Sequence, residues 1–245
     1  MRYGRRTIKA WLLLLLAVVL AASCISCNKT TSAETESLDE TETALSDGSA
    51  VSEKETEPIT TLPSGTVKSE INSKSTADFT ETTNVTSYVR LTVKDHGEIV
   101  LCLLKDAAPL TVANFQKLVE SGYYDGLTFH RIYKGFMIQS GAGGSADSIK
   151  GEFSSNGWAN YLSHIRGIVS MARTVQFDSA SSQFFICDAD STFLDGRYAA
   201  FGYVIAGLET VDAIASVPVQ DNGRGELSDP LEDVIIEKAC FVTPK

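Results

Sequence analysis

Residues Phe129–Gly141 read FHRIYKGFMIQSG. Two short apolar runs, Phe129-His130-Arg131-Ile132 and Phe136-Met137-Ile138-Gln139, flank Tyr133-Lys134-Gly135. A glycine between two such runs predicts a turn joining two strands. Alternate residues of a strand share a face, so Met137 is expected beside Gln139, and Phe129 beside Arg131. A half-buried strand sends polar groups to water and apolar groups inward. Here each shared face mixes the two. That mixture points to a concave site whose apolar walls hold a ligand and whose few polar groups orient it. An amphipathic hairpin with exposed Arg131 and Gln139 accounts for the pattern equally well at this point.

The chain on either side has the same texture. Tyr88–Val93 alternates as a strand should, Asp95-His96-Gly97 is a turn signal, and Ile99–Leu104 is a second strand. Pro109 opens a helix in which Val112, Phe115 and Val119 recur at helical spacing, and Gly122 ends it. Gly141–Gly151 is rich in glycine but lacks the Lys-Ser/Thr of a phosphate-binding loop. Gly167–Ala172, Gln183–Cys187 and Ala200–Val204 read as strands. Leu208, Val211, Ile214 and Ala215 mark a second helix, and Val234–Ile236 with Cys240–Val242 one or more final strands. Many short strands without regular helical crossovers predict one mainly β domain with antiparallel pairing, a barrel or a sandwich.

The N-terminal third differs. Residues 1–27 carry Arg2, Arg5, Arg6 and Lys9 and no acid, followed by the apolar run Trp11–Ala22. That run is short against the roughly 20 residues of a membrane span. Leu20-Ala21-Ala22-Ser23 then precedes Cys24. The arrangement resembles a bacterial lipoprotein signal, which implies removal of residues 1–23 and a lipid on Cys24, with Cys27 as the alternative acceptor. Residues 24–86 are rich in Ser, Thr and Glu, with Phe79 the only aromatic. Such a segment buries too little apolar area to offset chain entropy and is expected to be a disordered, extended tether. The domain is therefore expected over residues 87–245.

Composition narrows the chemistry. The net charge is −10, and residues 87–245 hold 19 acids against 13 bases, so no basic surface for nucleic acid is expected. Cys102, Cys187 and Cys240 have no close spacing and read as small buried residues rather than a disulfide framework or zinc site. His96, His130 and His164 lie far apart, with no metal-binding spacing, and His130 reads as a structural histidine. No GxSxG occurs, and Ser181-Ser182 have no nearby base in sequence. No metal or cofactor is expected.

Several separated motifs now converge. FHRIYKGFMIQSG at 129–141, SSQFFICDADSTFLDGRYAAFG at 181–202, GIVSMA at 167–172 and PLTVANF at 109–115 follow one another as in the cyclophilins, and residues 88–242 resemble that peptidyl-prolyl isomerase family. The resemblance implies a closed eight-stranded antiparallel β-barrel capped by two α-helices. It implies Arg131 as the catalytic residue with Gln139 positioning it. It further implies a substrate site built from Phe136, Met137, Ala172, Arg173, Gln183, Phe185, Phe193, Leu194 and Tyr198. Phe193 stands where the best-known eukaryotic members carry tryptophan, Tyr198 where they carry histidine, and Arg173 where asparagine is common. The lost indole N–H weakens the case for tight cyclosporin binding but not for isomerisation.

The expectation is an exported isomerase, lipid-anchored outside the cytoplasm and acting as a monomer on proline-containing unfolded or exported polypeptides. The alternative is a non-catalytic peptide-binding or holdase module on the same fold.

Overall fold

The computed structural model describes residues 64–245. Cys24, Cys27, the expected export signal and the first part of the expected tether lie outside the described residues. The fold contains α1 (Ser64–Glu70), β1 (Phe79–Glu81), β2 (Tyr88–Val93), β3 (Gly97–Leu103), α2 (Pro109–Glu120), β4 (Arg131–Tyr133) and β5 (Met137–Ser140). It continues through β6 (Ile168–Met171), β7 (Phe184–Cys187), β8 (Ala200–Ala206), α3 (Leu208–Ala215), β9 (Val219–Asp221), β10 (Leu227–Pro230) and β11 (Ile236–Pro244).

Nine strands form one sheet in the order β1-β11-β2-β3-β8-β6-β7-β5-β4, every neighbouring pair antiparallel, while β9 and β10 form a separate ribbon. The mainly β, antiparallel architecture is as expected. A closed eight-stranded barrel is not what the strand pairing gives: β1 and β4 are the two free ends of the order. The reason lies in β11. Its outer edge is taken at residues 242–244 by β1. Nearer its start, the chain before β4 reaches it only through an isolated bridge between Thr128 and Ile235 and single bonds such as Gly126 N–H to the Ile236 carbonyl at 2.7 Å.

Alternation decides the inner face. In β2, Val89, Leu91 and Val93 are buried while Tyr88, Arg90 and Thr92 are half-buried. The inward residues join Val112, Phe115, Leu118 and Val119 of α2 and Leu208, Val211, Ile214 and Ala215 of α3 in one apolar cluster, so both expected helices pack by the residues the spacing identified. Phe129 belongs to this cluster too and is fully buried. It does not share a face with Arg131, because β4 begins only at Arg131 and the chain at Thr128–Phe129 is bent toward Val234 and Ile235.

The outer face of the sheet carries a second apolar cluster, including Val100, Cys102, Met137, Ile168, Phe185, Tyr203 and Ile205. Part of its cover is the segment read from the sequence as tether. Residues 64–86 are folded: Val67 and Phe79 are buried in the second cluster, and Ile71 packs against it. Asn72 N–H donates to the Val204 carbonyl at 3.0 Å and Lys74 N–H to the Ile205 carbonyl at 3.1 Å. The Arg90 guanidinium donates to the carbonyls of Thr76 and Phe79, both at 3.0 Å. The tether boundary at residue 86 is therefore corrected. Three apolar side chains at the right places outweigh a polar average, because the sheet supplies the rest of the core.

Among the described residues, Cys102 and Cys187 are buried free thiols and Cys240 is half-buried and free. No described helix is long and apolar enough to cross a membrane.

Candidate functional site

The outer cluster is left open beside Arg131. A cavity of about 420 Å³ there is lined by Arg131, Phe136, Met137, Gln139, Ala172, Arg173, Phe185, Leu194 and Tyr198, together with Asn222, Arg224 and Glu226. The apolar floor is Met137, Phe185 and Leu194, all buried and all members of the outer cluster. The slot is thus a gap in the cover of a greasy face, which exposes apolar surface that a ring-sized ligand can fill.

Strand register brings the polar groups to its rim. Arg131 stands opposite Gln139 across β4 and β5, and Gln139 opposite Phe185 across β5 and β7. Met137 and Gln139 share the cavity face, as alternation in β5 requires. The turn between β4 and β5 closes with Phe136 N–H donating to the Tyr133 carbonyl at 3.0 Å, and Asp188 accepts the Gly135 N–H at 2.6 Å. At the end of β5, Gly141 has φ +86°, and a Cβ there would lie 2.4 Å from the Ser182 carbonyl oxygen. Only glycine allows β5 and the start of β7 to approach so closely.

Two sequence-predicted residues stand apart from the slot. Gln183 lines an adjoining cavity with Gln139, Ala172, Arg173, Thr174, Ser179 and Ser181, and it accepts from Gln139 Nε2 at 2.9 Å. Phe193 is 66% exposed and lies against Phe136 with ring centroids 5.6 Å apart, so it extends the rim rather than the wall. Arg173 is held by its Nε to the Arg197 carbonyl and its Nη1 to the Thr174 carbonyl. Its guanidinium lies 4.6 Å from the Tyr198 ring centroid and 5.1 and 5.2 Å from those of Phe153 and Phe177, a cation among aromatic faces. The expected lipid acceptor Cys24 lies outside the described residues.

Arg131 is the most constrained polar group of the slot. Its Nε and Nη2 donate to the two carboxylate oxygens of Glu226 at 2.7 and 2.8 Å, and its Nη1 to Gln139 Oε1 at 3.4 Å. The hydrogen bonds to Glu226 raise the guanidinium's pKa further against the opposing effect of burial. The same bonds hold the Glu226 carboxyl down at about 2. Asn222, Arg224 and Glu226 were not anticipated. The signal was present: Asn222-Gly223 between Val219 and Leu227 marks a two-strand ribbon.

Behind the slot, Asp195, His164 and Ser170 form a chain of hydrogen bonds. His164 Nδ1 is 2.7 Å from Asp195 Oδ1, and Nε2 is 3.0 Å from Ser170 Oγ. The residue types are those of a serine nucleophile with its base, but Ser170 is fully buried and no substrate reaches its hydroxyl. The imidazole instead lies parallel to Phe185, ring centroids 6.1 Å apart, and backs the slot floor. His130, read as a hydrogen-bonded structural histidine, has a buried Nδ1 without a partner among the described residues.

Comparison with known proteins identifies the family. The family model described as cyclophilin type peptidyl-prolyl cis-trans isomerase/CLD matches residues 88–240. Peptidyl-prolyl cis-trans isomerase A of Dickeya dadantii is 40% identical over 155 residues, spanning 60% of this chain and 80% of the relative. Peptidyl-prolyl cis-trans isomerase-like 3 of Homo sapiens is 38% identical over 153 residues, spanning 60% of this chain and 94% of the relative. Among solved structures, a Cryptosporidium parvum cyclophilin type peptidyl-prolyl cis-trans isomerase, crystallised in the presence of the dipeptide ala-pro, matches with TM-score 0.55 and 28% identity, covering 63% of this chain and 98% of the other.

Proposed function

Since this chain belongs to the cyclophilin-type peptidyl-prolyl cis-trans isomerase family, we propose that the slot beside Arg131 is where X–Pro rotation is eased. The protein is a peptidyl-prolyl cis-trans isomerase, and its substrates are proline-containing peptides. Rotation about a peptide bond faces a barrier of about 18–20 kcal/mol because resonance is lost as the bond twists. No bond is made or broken, so the task is to hold the proline ring and favour the twisted amide.

The slot residues suit both parts. Met137, Phe185 and Leu194 offer an apolar floor for a pyrrolidine ring, with Phe136 and Tyr198 at its sides. As the amide twists, the prolyl nitrogen pyramidalises and gains a lone pair. An Arg131 N–H directed at that atom binds the twisted form better than the planar one, which is what lowers a barrier. Gln139 holds the arginine, Gln183 holds Gln139, and both offer polar groups to the peptide backbone. Ala172 and Arg173 lie at the end of β6, where an extended peptide can pair with main chain. The single observation that carries this reading is Arg131 on the rim of an apolar cavity of about 420 Å³.

Three finer points belong to the same reading. The chain is exported and lipid-anchored through Cys24, supported by the basic start, the apolar run and the small residues before that cysteine. It serves, as a monomer, polypeptides that fold outside the cytoplasm. The curled sheet acts as a barrel whose seam is the Thr128–Ile235 bridge.

The test is exchange NMR on a short X–Pro peptide with the full-length chain. The parent is expected to broaden and exchange the cis and trans signals. Arg131→Ala is expected to slow exchange by roughly a hundredfold, about 3 kcal/mol, with its unfolding midpoint unchanged. Equal rates would remove Arg131 from the mechanism. Peptide binding with no exchange in the parent would make the site a binding module.

A further inference from the structure

Glu226 lies in the loop joining β9 and β10 and lines the slot. That loop is stiff. Gly223 and Gly225 both have φ +81°, and Asp221 Oδ1 accepts both of their N–H groups, at 2.7 and 3.2 Å. Asn222 Oδ1 accepts the Arg224 N–H at 3.0 Å, and the Asn222 N–H donates to the Glu226 carbonyl at 2.9 Å. Asn222 Nδ2 reaches both Glu226 Oε1, at 3.4 Å, and the Oγ of buried Ser228, at 3.1 Å. A carboxylate on such a loop has a fixed address, and it meets the guanidinium edge-on with both oxygens.

Counting donors shows what the contact leaves. A guanidinium has five N–H groups in one plane. Glu226 takes the Nε–H and one on Nη2, and Gln139 takes one on Nη1. One N–H remains on each terminal nitrogen. With two of its edges held by partners on different elements, the plane cannot rotate about its own stem. The pair is formally neutral, which suits the reaction: the prolyl nitrogen of a twisted amide is an uncharged acceptor that needs a directed N–H rather than a net charge.

Resting on the reading that Arg131 meets the substrate, we propose that Glu226 is a positioning residue for the isomerisation, holding the Arg131 guanidinium so that its two remaining N–H groups face the slot. A planar fork held at two edges is preorganised, and misplacing a catalytic group by about an ångström can cost on the order of a hundredfold in rate. The loop's glycines and Asx turns thereby have a catalytic purpose as well as a structural one. Lysine in place of Arg131 would offer the same charge without the fork, so the bidentate contact could not form.

The experiment uses the full-length chain and exchange NMR of a short X–Pro peptide at several concentrations, so that kcat and KM separate. Glu226→Ala is expected to lower kcat by about tenfold or more with KM little changed. Glu226→Gln keeps one acceptor oxygen and should fall between the two. In an Arg131→Ala background, Glu226→Ala should have no further effect, since its only route is through the arginine. A Glu226→Ala enzyme as fast as the parent or faster, with Arg131→Ala slow, overturns the positioning role and makes Glu226 a competitor of the substrate. An equal loss in both backgrounds overturns it in favour of a structural role. An Arg131→Ala enzyme as fast as the parent overturns the underlying reading and this proposal with it.

Discussion

Gln139 faces Arg131 directly across the β4–β5 ladder and links it to Gln183: Oε1 accepts from Arg131 Nη1 at 3.4 Å while Nε2 donates to Gln183 Oε1 at 2.9 Å. The amide therefore joins the slot to its neighbouring cavity. Gln139→Leu keeps the bulk of the side chain and removes both bonds. It is expected to lower kcat/KM by roughly tenfold, with the unfolding midpoint little changed because Gln139 is only half-buried. Exchange NMR with parallel urea unfolding checks both parts.

Asn72 ties the segment before the family domain to α3. Its Oδ1 accepts the Leu208 N–H at 3.1 Å, the acceptor that Gly207 at the helix start cannot supply. Asn72→Ala should cost about 1 kcal/mol of stability, as lost helix caps do. Phe79→Ala removes a buried ring and should cost about 3 kcal/mol or more. A chain begun at residue 87 should be less stable than either variant. Urea unfolding of the three proteins ranks them, and equal midpoints would mean that residues 64–86 are a passive passenger.

His164 makes stability depend on pH. Burial lowers its pKa below the ordinary 6.5, against the opposing effect of the hydrogen bond it donates to Asp195. The unfolded chain therefore takes up a proton near pH 6.5 that the folded chain refuses until lower pH. Stability is full above about 6.5 and falls as the pH drops from there to the folded value. His164→Gln should flatten this part of the profile. Unfolding midpoints at pH 7.5 and at successively lower pH, for both proteins, measure it.

Gly141→Ala would drive a methyl to 2.4 Å from the Ser182 carbonyl and force alanine into a left-handed conformation. The left-handed backbone alone costs on the order of 1–2 kcal/mol. The β5–β7 junction must also shift, and Gln139 and Gln183 with it. Both stability and kcat/KM should fall, whereas Gly135→Ala, with nothing within 4 Å of its added carbon, should lose only stability.

Much of this molecule is legible in its residues because local pattern and burial agree. The turn at Lys134-Gly135, the alternation of β2 and the helical spacing of Val112, Phe115 and Val119 each describe contacts that the fold then makes. The slot walls Phe136, Met137, Phe185 and Leu194 followed from motif resemblance rather than from pattern, since strands far apart in sequence bring them together. Glu226 was missed because nothing local distinguishes a carboxylate that meets Arg131 from one that meets water. Residues 64–86 were misjudged for the converse reason. Val67, Ile71 and Phe79 are too sparse to make a core of their own, and only the sheet's second face turns them into anchors.

The lacing of residues 64–86 into the sheet has a mechanical corollary. Traction applied upstream of residue 64 meets first α1, then the rungs from Asn72 to Val204 and from Lys74 to Ile205, before it reaches the slot. Those rungs sit on β8, whose other residues pair with β3 and β6. A pull on this segment would be spread into the middle of the sheet before it acted on the slot.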